Sequence, residues 1–272
     1  GFSNCMNLSE AKKWLEQTLR NAGIESAEAE ARWMLEHLLS REVVLTQPQR
    51  ELTRPEFEML TAWLERRVSR EPLQHILGVA PFYGLELAVN SHVLIPRPET
   101  ERLVELVLET INPIKNPKIL DVGTGSGAIA LAIKHEHPDA RILATDVSGK
   151  ALEIAKQNAK KYDLELIFLE SNLLEHPDAQ TFAKTCDVLV ANLPYLPLSD
   201  KKTVSTEVLH DPDLALYAGS DGLELFCRLE EEAFEILPAK TLCFFELDPR
   251  NVETAFELCQ RWQGREVLED MV

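Results

Sequence analysis

The chain is short of three things, and each shortage removes a class of function. Cations are scarce: 28 Lys and Arg stand against 45 Asp and Glu, for a formal net charge of -17 over 272 residues. A large phosphate-backbone footprint needs clustered Lys and Arg, so stable nucleic-acid binding is not expected. Paired cysteines are missing: Cys5, Cys186, Cys227, Cys243 and Cys259 are odd in number, scattered, and form no C-x-x-C pair. That argues against a disulfide framework or a zinc site and suits a reducing compartment, so a cytoplasmic protein without a metal is expected. Long apolar runs are absent, as is a signal-peptide pattern, so no membrane role is expected. Gly1 stands where an initiator Met would be, which suggests a trimmed start.

What is present is ordinary for a globular protein, at 45% hydrophobic and 27% charged. The length suits one large and one small domain. The acidity is uneven. Residues 1–75 carry ten cations against twelve anions, and the rest carries eighteen against thirty-three. A strongly acidic region favours a small cationic ligand or a basic protein partner.

Residues 8–70 read as helices. Leu8, Ala11, Trp14, Leu15, Thr18 and Leu19 follow helical spacing, with Ser9 as the cap and Lys12 where a capping box would want Glu. Ser26 begins a second helix, and Thr53-Arg54-Pro55-Glu56 starts a third that runs to about Arg70. Trp14, Trp33 and Trp63 read as core aromatics, and Glu65-Arg66-Arg67 with Arg70 as a solvated face. Val79 to Leu94 alternate, with turn signals at Gly84 and Asn90-Ser91, which predicts a β-hairpin. From Lys118 strands alternate with helices. Strands are expected at 118–122, 141–146, 165–169, 187–191 and 241–246, and helices at 126–136, 149–161, 222–237 and 250–262. This is a doubly wound α/β pattern. The expected division is a helical domain over 1–74, a hairpin linker over 75–95, and an α/β domain over 96–272. A long polar stretch from Pro197 to Ala218 is placed to hold substrate. Glu230-Glu231-Glu232 reads as a solvated helix face.

Two motifs carry chemistry. Asp121-x-Gly123-x-Gly125-x-Gly127 ends the first strand of the α/β region and opens a helix. A dinucleotide fingerprint would space its glycines G-x-G-x-x-G, and this spacing differs. Asp146 ends the next strand, where a carboxylate can accept from both hydroxyls of a free ribose. S-adenosylmethionine offers that diol, no phosphate and a positive sulfonium. The second motif, Asn192-Leu193-Pro194-Tyr195, follows the apolar strand Asp187–Ala191. Its expected acceptors are the Asn192 side-chain oxygen and the Leu193 carbonyl, with Pro194 stiffening the turn and Tyr195 walling the site. An incoming –NH2 group has two hydrogens to give them. Together the motifs predict an S-adenosylmethionine-dependent enzyme that methylates a planar amide or amine nitrogen.

The chain resembles the HemK/PrmC family, the protein-glutamine methyltransferases that modify peptide-chain release factors. The resemblance rests on Arg70-Glu71-Pro72-Leu73-Gln74-His75-Ile76-Leu77-Gly78, Phe82-Tyr83-Gly84, Leu94-Ile95-Pro96-Arg97-Pro98-Glu99-Thr100-Glu101, the glycine turn, Asp146 and Ser220-Asp221-Gly222-Leu223. It implies a small helical substrate-recognition domain, a hairpin linker and a Rossmann-like class I methyltransferase sheet of the mixed, seven-stranded type. It implies cofactor contacts from Asp121, Gly123, Thr124, Gly125, Gly127, Asp146, Val147, Asn172, Leu173 and Asn192, with Arg97, Glu99 and Thr100 helping to roof the pocket. It implies a class 1 release factor as partner, methylated at the glutamine of its Gly-Gly-Gln loop, and a monomeric enzyme. The chain departs from the family's usual Asn-Pro-Pro-Tyr at Leu193, from Ser-Asp at Asn172, and from Glu-Ile-Gly at Leu247-Asp248. Only one strand of an expected last pair is visible. Methylation of adenine in nucleic acid, methylation of a ribosomal-protein glutamine, and a non-catalytic cofactor-binding module remain as alternatives.

Overall fold

The computed structural model describes residues 6–196, 200, 206–219 and 222–268. Cys5, residues 197–199 and 201–205 of the long polar stretch, and Ser220-Asp221 lie outside the described residues. The chain divides into two compact units. One runs to Gly78 and takes back Thr206–His210; the other begins at Val79 and resumes at Asp211.

The first unit is helical: α1 (Leu8–Asn21), α2 (Ala27–Leu39), α3 (Arg41–Thr46), α4 (Arg54–Val68) and α5 (Leu73–Leu77). Leu8, Ala11, Leu15 and Leu19 of α1 recur at helical spacing and are buried, as are Met34 and Leu35 of α2. The cap of α1 is Asn7, not Ser9. The Asn7 side chain accepts from the Glu10 N–H at 2.9 Å, and Glu10 returns the bond to the Asn7 N–H at 3.0 Å. Ser9 falls inside the first turn, and Glu10 fills the capping-box position that Lys12 leaves empty in the sequence reading. Thr53 caps α4 as expected, and there too the N3 glutamate, Glu56, returns the bond. Trp14, Trp33 and Trp63 are half-buried rather than core. Trp14 stacks on Phe57 at 5.4 Å, and Trp63 meets His37 edge-on at 5.7 Å. Arg67 departs most from expectation. It is 7% exposed and donates to both carboxylate oxygens of Glu30, at 2.7 and 3.2 Å. A buried guanidinium is retained only when paired, and Glu207 joins the pair at 3.4 Å while also receiving Arg70 at 3.2 Å.

The second unit opens with the antiparallel hairpin β1 (Val79–Phe82) and β2 (Leu85–Ala88), joined at Tyr83-Gly84 with φ of 47° and 75°. Two central residues at positive φ match the right-handed twist of paired strands. Then follow α6 (Thr100–Ile111), β3 (Lys118–Val122), α7 (Ala128–Glu136), β4 (Arg141–Asp146), α8 (Gly149–Lys161), β5 (Ile167–Glu170), α9 (Pro177–Ala183), β6 (Val188–Ala191), α10 (Asp213–Leu216), α11 (Glu224–Ile236), β7 (Leu242–Phe245) and α12 (Val252–Leu258). The sheet order is β5-β4-β3-β6-β7, and every pairing is parallel. Ile119, Val188 and Val190 enter one core layer, and Leu120, Leu189 and Ala191 the other. Strands apolar on both faces suit a sheet covered by helices on both sides.

The Rossmann-like class I sheet is there as expected, and among the described residues it shows five strands, all parallel. Residues 263–268 stay exposed and form no strand. Arg265 instead lies over the Phe256 ring at 4.4 Å, a local contact in place of sheet pairing. The triple Glu230-Glu231-Glu232 is not uniformly solvated either. Glu230 is buried and receives Arg261 and the Trp262 indole N–H, and Glu232 accepts from the Leu174 N–H.

Candidate functional site

The strand order reverses between β3 and β6, with β4 and β5 on one side and β7 on the other. In an open parallel sheet that switch point opens a crevice at the carboxyl ends of the strands. Both sequence motifs end there, because Val122 pairs with Ala191 in the shared ladder.

The glycine turn leaves β3 and is tied to the end of β4. The N–H groups of Gly123 and Thr124 both donate to the Thr145 carbonyl, at 2.9 and 2.8 Å. Gly125 donates to Asp146 Oδ2 at 2.9 Å. Gly123 has φ of 76°, and a Cβ there would stand 3.0 Å from Leu193 Cδ2. The two motifs thus touch, and a side chain at 123 would collide with one at 193. Asp121 is wholly buried beneath the turn and accepts from Thr124 Oγ1 at 2.6 Å. Burial pushes its carboxyl up to about 7; the Thr124 hydroxyl opposes this and the nearby Asp146 charge adds to it.

Asp146 ends β4. Its Oδ1 accepts from the Ser148 N–H at 2.9 Å, so both oxygens are aimed by backbone donors. Burial raises its pKa, and the N–H groups of Ser148, Gly125 and Val147 pull it back. After β5, Asn172 donates through Nδ2 to Glu175 Oε1 at 3.0 Å, which leaves its Oδ1 as an acceptor. Leu173 has φ of 52°, a left-handed conformation that a leucine rarely adopts. Its carbonyl accepts from Ser171 Oγ at 2.8 Å, and its N-terminal neighbours hold it there.

Asn192 follows β6. Its Nδ2 donates to Thr100 Oγ1 at 3.2 Å. Its Oδ1 is buried and has no hydrogen-bond partner among the described residues. Such an orphan is uncommon in a folded protein and is costly without a guest. The Leu193 side chain is 8% exposed and packs in the core layer with Val122 and Ala191. Burial raises the Tyr195 phenol pKa, with the Glu246 charge adding. The Tyr195 carbonyl accepts from Asn251 Nδ2 at 3.4 Å, and Gly222, at φ of 81°, passes so close that a Cβ would strike that carbonyl.

These elements enclose a cavity of about 310 Å³. Gly123, Thr124, Gly125, Asp146, Val147, Asn172, Leu173, Asn192, Leu193, Pro194, Arg97 and Thr100 all line it. Asp121, Gly127, Glu99 and Tyr195 do not. Asp121 and Gly127 sit behind the turn, where a Cβ at Gly127 would meet Leu131 at 3.0 Å. Glu99 is exposed, and Arg97 pairs with Asp211 at 3.3 Å rather than with Glu99. Burial pushes the Asp211 carboxyl up to about 6 against the pull of Arg97 and the Ile95 N–H.

Sequence reasoning missed several wall residues. Phe82 from the hairpin, Ile129 from α7, Ala215 from α10 and Leu225 from α11 close the cavity, and His92 reaches its rim. Apolar residues spread over four elements leave no shared spacing to read. Asn158 was missed too. Buried in α8, it accepts from the Ala88 N–H at 2.6 Å and donates to the carbonyls of Ala88 and Ser126, both at 3.0 Å. One amide thereby pins the hairpin to the glycine turn. Among the described residues no cluster of His, Cys, Asp and Glu could hold a metal ion.

Two family models match the chain: a PrmC N-terminal domain over residues 10–78 and a methyltransferase small domain over residues 100–219. A release factor glutamine methyltransferase of Deinococcus radiodurans is 42% identical over 259 residues, covering 93% of this chain and 90% of that protein. One of Caulobacter vibrioides is 38% identical over 239 residues, covering 85% and 81%. Among solved structures, the hMettl16 catalytic domain in complex with MAT2A 3′UTR hairpin 6 superposes with a TM-score of 0.51 at 16% identity, covering 79% of this chain and 77% of that one. That likeness concerns the fold, a class I methyltransferase sheet. A small helical unit and a switch-point crevice with a glycine turn beside an Asn-x-Pro-Tyr turn accompany these matches, and the chain belongs to the release factor glutamine methyltransferase family.

Proposed function

We propose that this methyltransferase transfers a methyl group from S-adenosylmethionine to the side-chain amide nitrogen of the glutamine in the Gly-Gly-Gln motif of class 1 release factors. The observation that carries the reading is the buried, unpartnered Oδ1 of Asn192 on the cavity wall. An acceptor held there takes an N–H or O–H donor, and the neighbouring Leu193 carbonyl suits the second hydrogen of an –NH2 group. The names of the relatives narrow the –NH2 group to a release-factor glutamine.

The cavity fits the cofactor. Phe82, Ile129, Val147 and Leu173 offer apolar walls for a flat base. Asp146, aimed by two backbone N–H groups, suits the ribose hydroxyls, and the Asn172 Oδ1 suits an exocyclic amine. When bound, S-adenosylmethionine supplies a methyl group already activated by its sulfonium.

The residues of this chain would do the rest by orientation and electrostatics. Asn192 Oδ1 and the Leu193 carbonyl accept the two N–H bonds of the glutamine amide and turn its nitrogen toward the methyl carbon. As positive charge would develop on that nitrogen, the same two neutral acceptors would stabilise it. The electron pair of the broken carbon–sulfur bond stays on sulfur, and the methylated nitrogen, now acidic, gives up one N–H proton to water as the product leaves. Pro194 keeps the turn from relaxing. The apolar walls exclude water. The helical unit would select the release factor, and the enzyme would work as a cytoplasmic monomer.

The test is methyl transfer from labelled S-adenosylmethionine to a purified release factor, with duplex DNA in parallel. Label should enter the release factor alone, at one glutamine. Incorporation into DNA, or none into the release factor, would overturn the reading.

A further inference from the structure

We propose that Thr100 is a positioning residue for methyl transfer, acting through Asn192 rather than on the cofactor. The inference rests on the amide-acceptor reading above. Thr100 opens α6 and is 4% exposed, and its backbone N–H is tied to the Arg97 carbonyl at 3.1 Å. Its side chain lines the cavity, with Oγ1 3.2 Å from Asn192 Nδ2. The other end of the same amide, Oδ1, is the atom left without a partner.

A carboxamide has two ends of similar shape and opposite hydrogen-bonding character. Rotation about its last torsion exchanges them, and that torsion has only a broad, two-fold preference. A hydroxyl can accept or donate, so the substrate, which offers only N–H bonds, selects the pose with Oδ1 outward, and Thr100 keeps Nδ2 paired in that pose. With an aliphatic side chain at position 100, the same pose would bury an unpaired Nδ2. Turning the amide over would only strand Oδ1 instead and face the NH2 group at a substrate that also offers only N–H bonds. As charge grows on the reacting nitrogen, the Asn192 amide polarises and its Nδ2 bond to Thr100 strengthens with it. The contribution of the hydroxyl thus grows on the way to the transition state, which places it in kcat rather than in substrate affinity.

Thr100→Val keeps the shape and removes the hydroxyl; Thr100→Ser keeps the hydroxyl. The valine variant should lose about 10- to 100-fold in kcat, the effect of stranding one buried donor. Its Kd for S-adenosylhomocysteine should stay within about threefold of the parent, which also shows that it is folded. The serine variant should recover most of the rate. Unchanged kcat in the valine variant would overturn the proposal. So would a loss of S-adenosylhomocysteine affinity as large as the loss of kcat, which would make Thr100 a cofactor contact. So would a serine variant as slow as the valine one. Normal turnover in Asn192→Ala would instead sink the underlying acceptor reading, whatever the Thr100 variants do.

Discussion

β3 and β6 lie side by side in one sheet and end at the same crevice, yet their ends are built on opposite plans. The turn after β3 has its donors satisfied: Gly123, Thr124 and Gly125 donate to the end of β4 and Gly127 to Thr124, and beneath the turn Oδ1 of Asp121 is left unpaired among the described residues. The turn after β6 leaves acceptor capacity open, with Asn192 Oδ1 buried and unpaired. A self-satisfied turn holds its shape before a ligand arrives and suits a site that only binds. An unsatisfied one is destabilising until a donor arrives, and suits a contact that a substrate N–H completes. Leu193, seated against Gly123, ties the two ends together.

The strongest way to break this contrast is Asn192→Ala. It should lower turnover on the order of 10²-fold or more while S-adenosylhomocysteine still binds, as removal of an oriented acceptor does elsewhere. Steady-state rates set beside calorimetry decide it. If binding falls and turnover of bound enzyme does not, the division of labour between the strand ends is wrong.

Asp146→Ala probes the other end. Loss of charge-assisted bonds should weaken S-adenosylhomocysteine by about 1.5–3 kcal/mol with kcat at saturation less affected. Unchanged affinity by calorimetry would mean that the ribose does not sit at β4.

Gly123→Ala strikes the joint. A left-handed φ of 76° and a Cβ at 3.0 Å from Leu193 Cδ2 should together cost about 1–3 kcal/mol of stability in urea titrations. Combining it with Leu193→Ala should recover the steric part but not the backbone part, so the two changes should be non-additive. Strict additivity would show that the contact carries no strain.

Asp121 sharpens the contrast through pH. Its folded pKa of about 7 lies above the ordinary 3.8, so between those values the folded protein holds a proton that the unfolded chain has released. Its stabilising contribution is full below about pH 4 and is lost as pH rises through about 7. The stability of the parent minus that of Asp121→Asn should therefore decline across this window and level off above it. A flat difference would place the charge elsewhere.

The smallest effect is expected from Leu193→Pro. The Leu193 N–H makes no backbone hydrogen bond among the described residues, so proline removes none. The turn should stiffen and methylation persist. The smaller side chain fills less of the core layer, and a loss of roughly 1 kcal/mol or less in stability is expected. A variant that binds cofactor and cannot methylate would show that the leucine side chain shapes the site.

What the sequence determined alone was whatever rests on local rules. Alternating strands and helices, the Tyr83-Gly84 hairpin, the Thr53 cap and the two strand-end motifs all follow from residues a few positions apart, and the structure has them where the spacing puts them. The misreadings have one character. Arg67 and Glu230 look like solvated charges until Glu30 and Arg261, 37 and 31 residues away along the chain, are folded against them. Asn158 looks like any polar residue of a lysine-rich helix until the backbone of Ala88 lies beside it. The short helices α3, α5, α9 and α10 carry too few residues for a period to show. The sequence also names Asn192 without saying what keeps its Nδ2 paired. Tertiary structure decided that, because hydrogen bonding and burial depend on distance in space, and only folding brings the Thr100 hydroxyl, 92 residues earlier, to within reach of Nδ2.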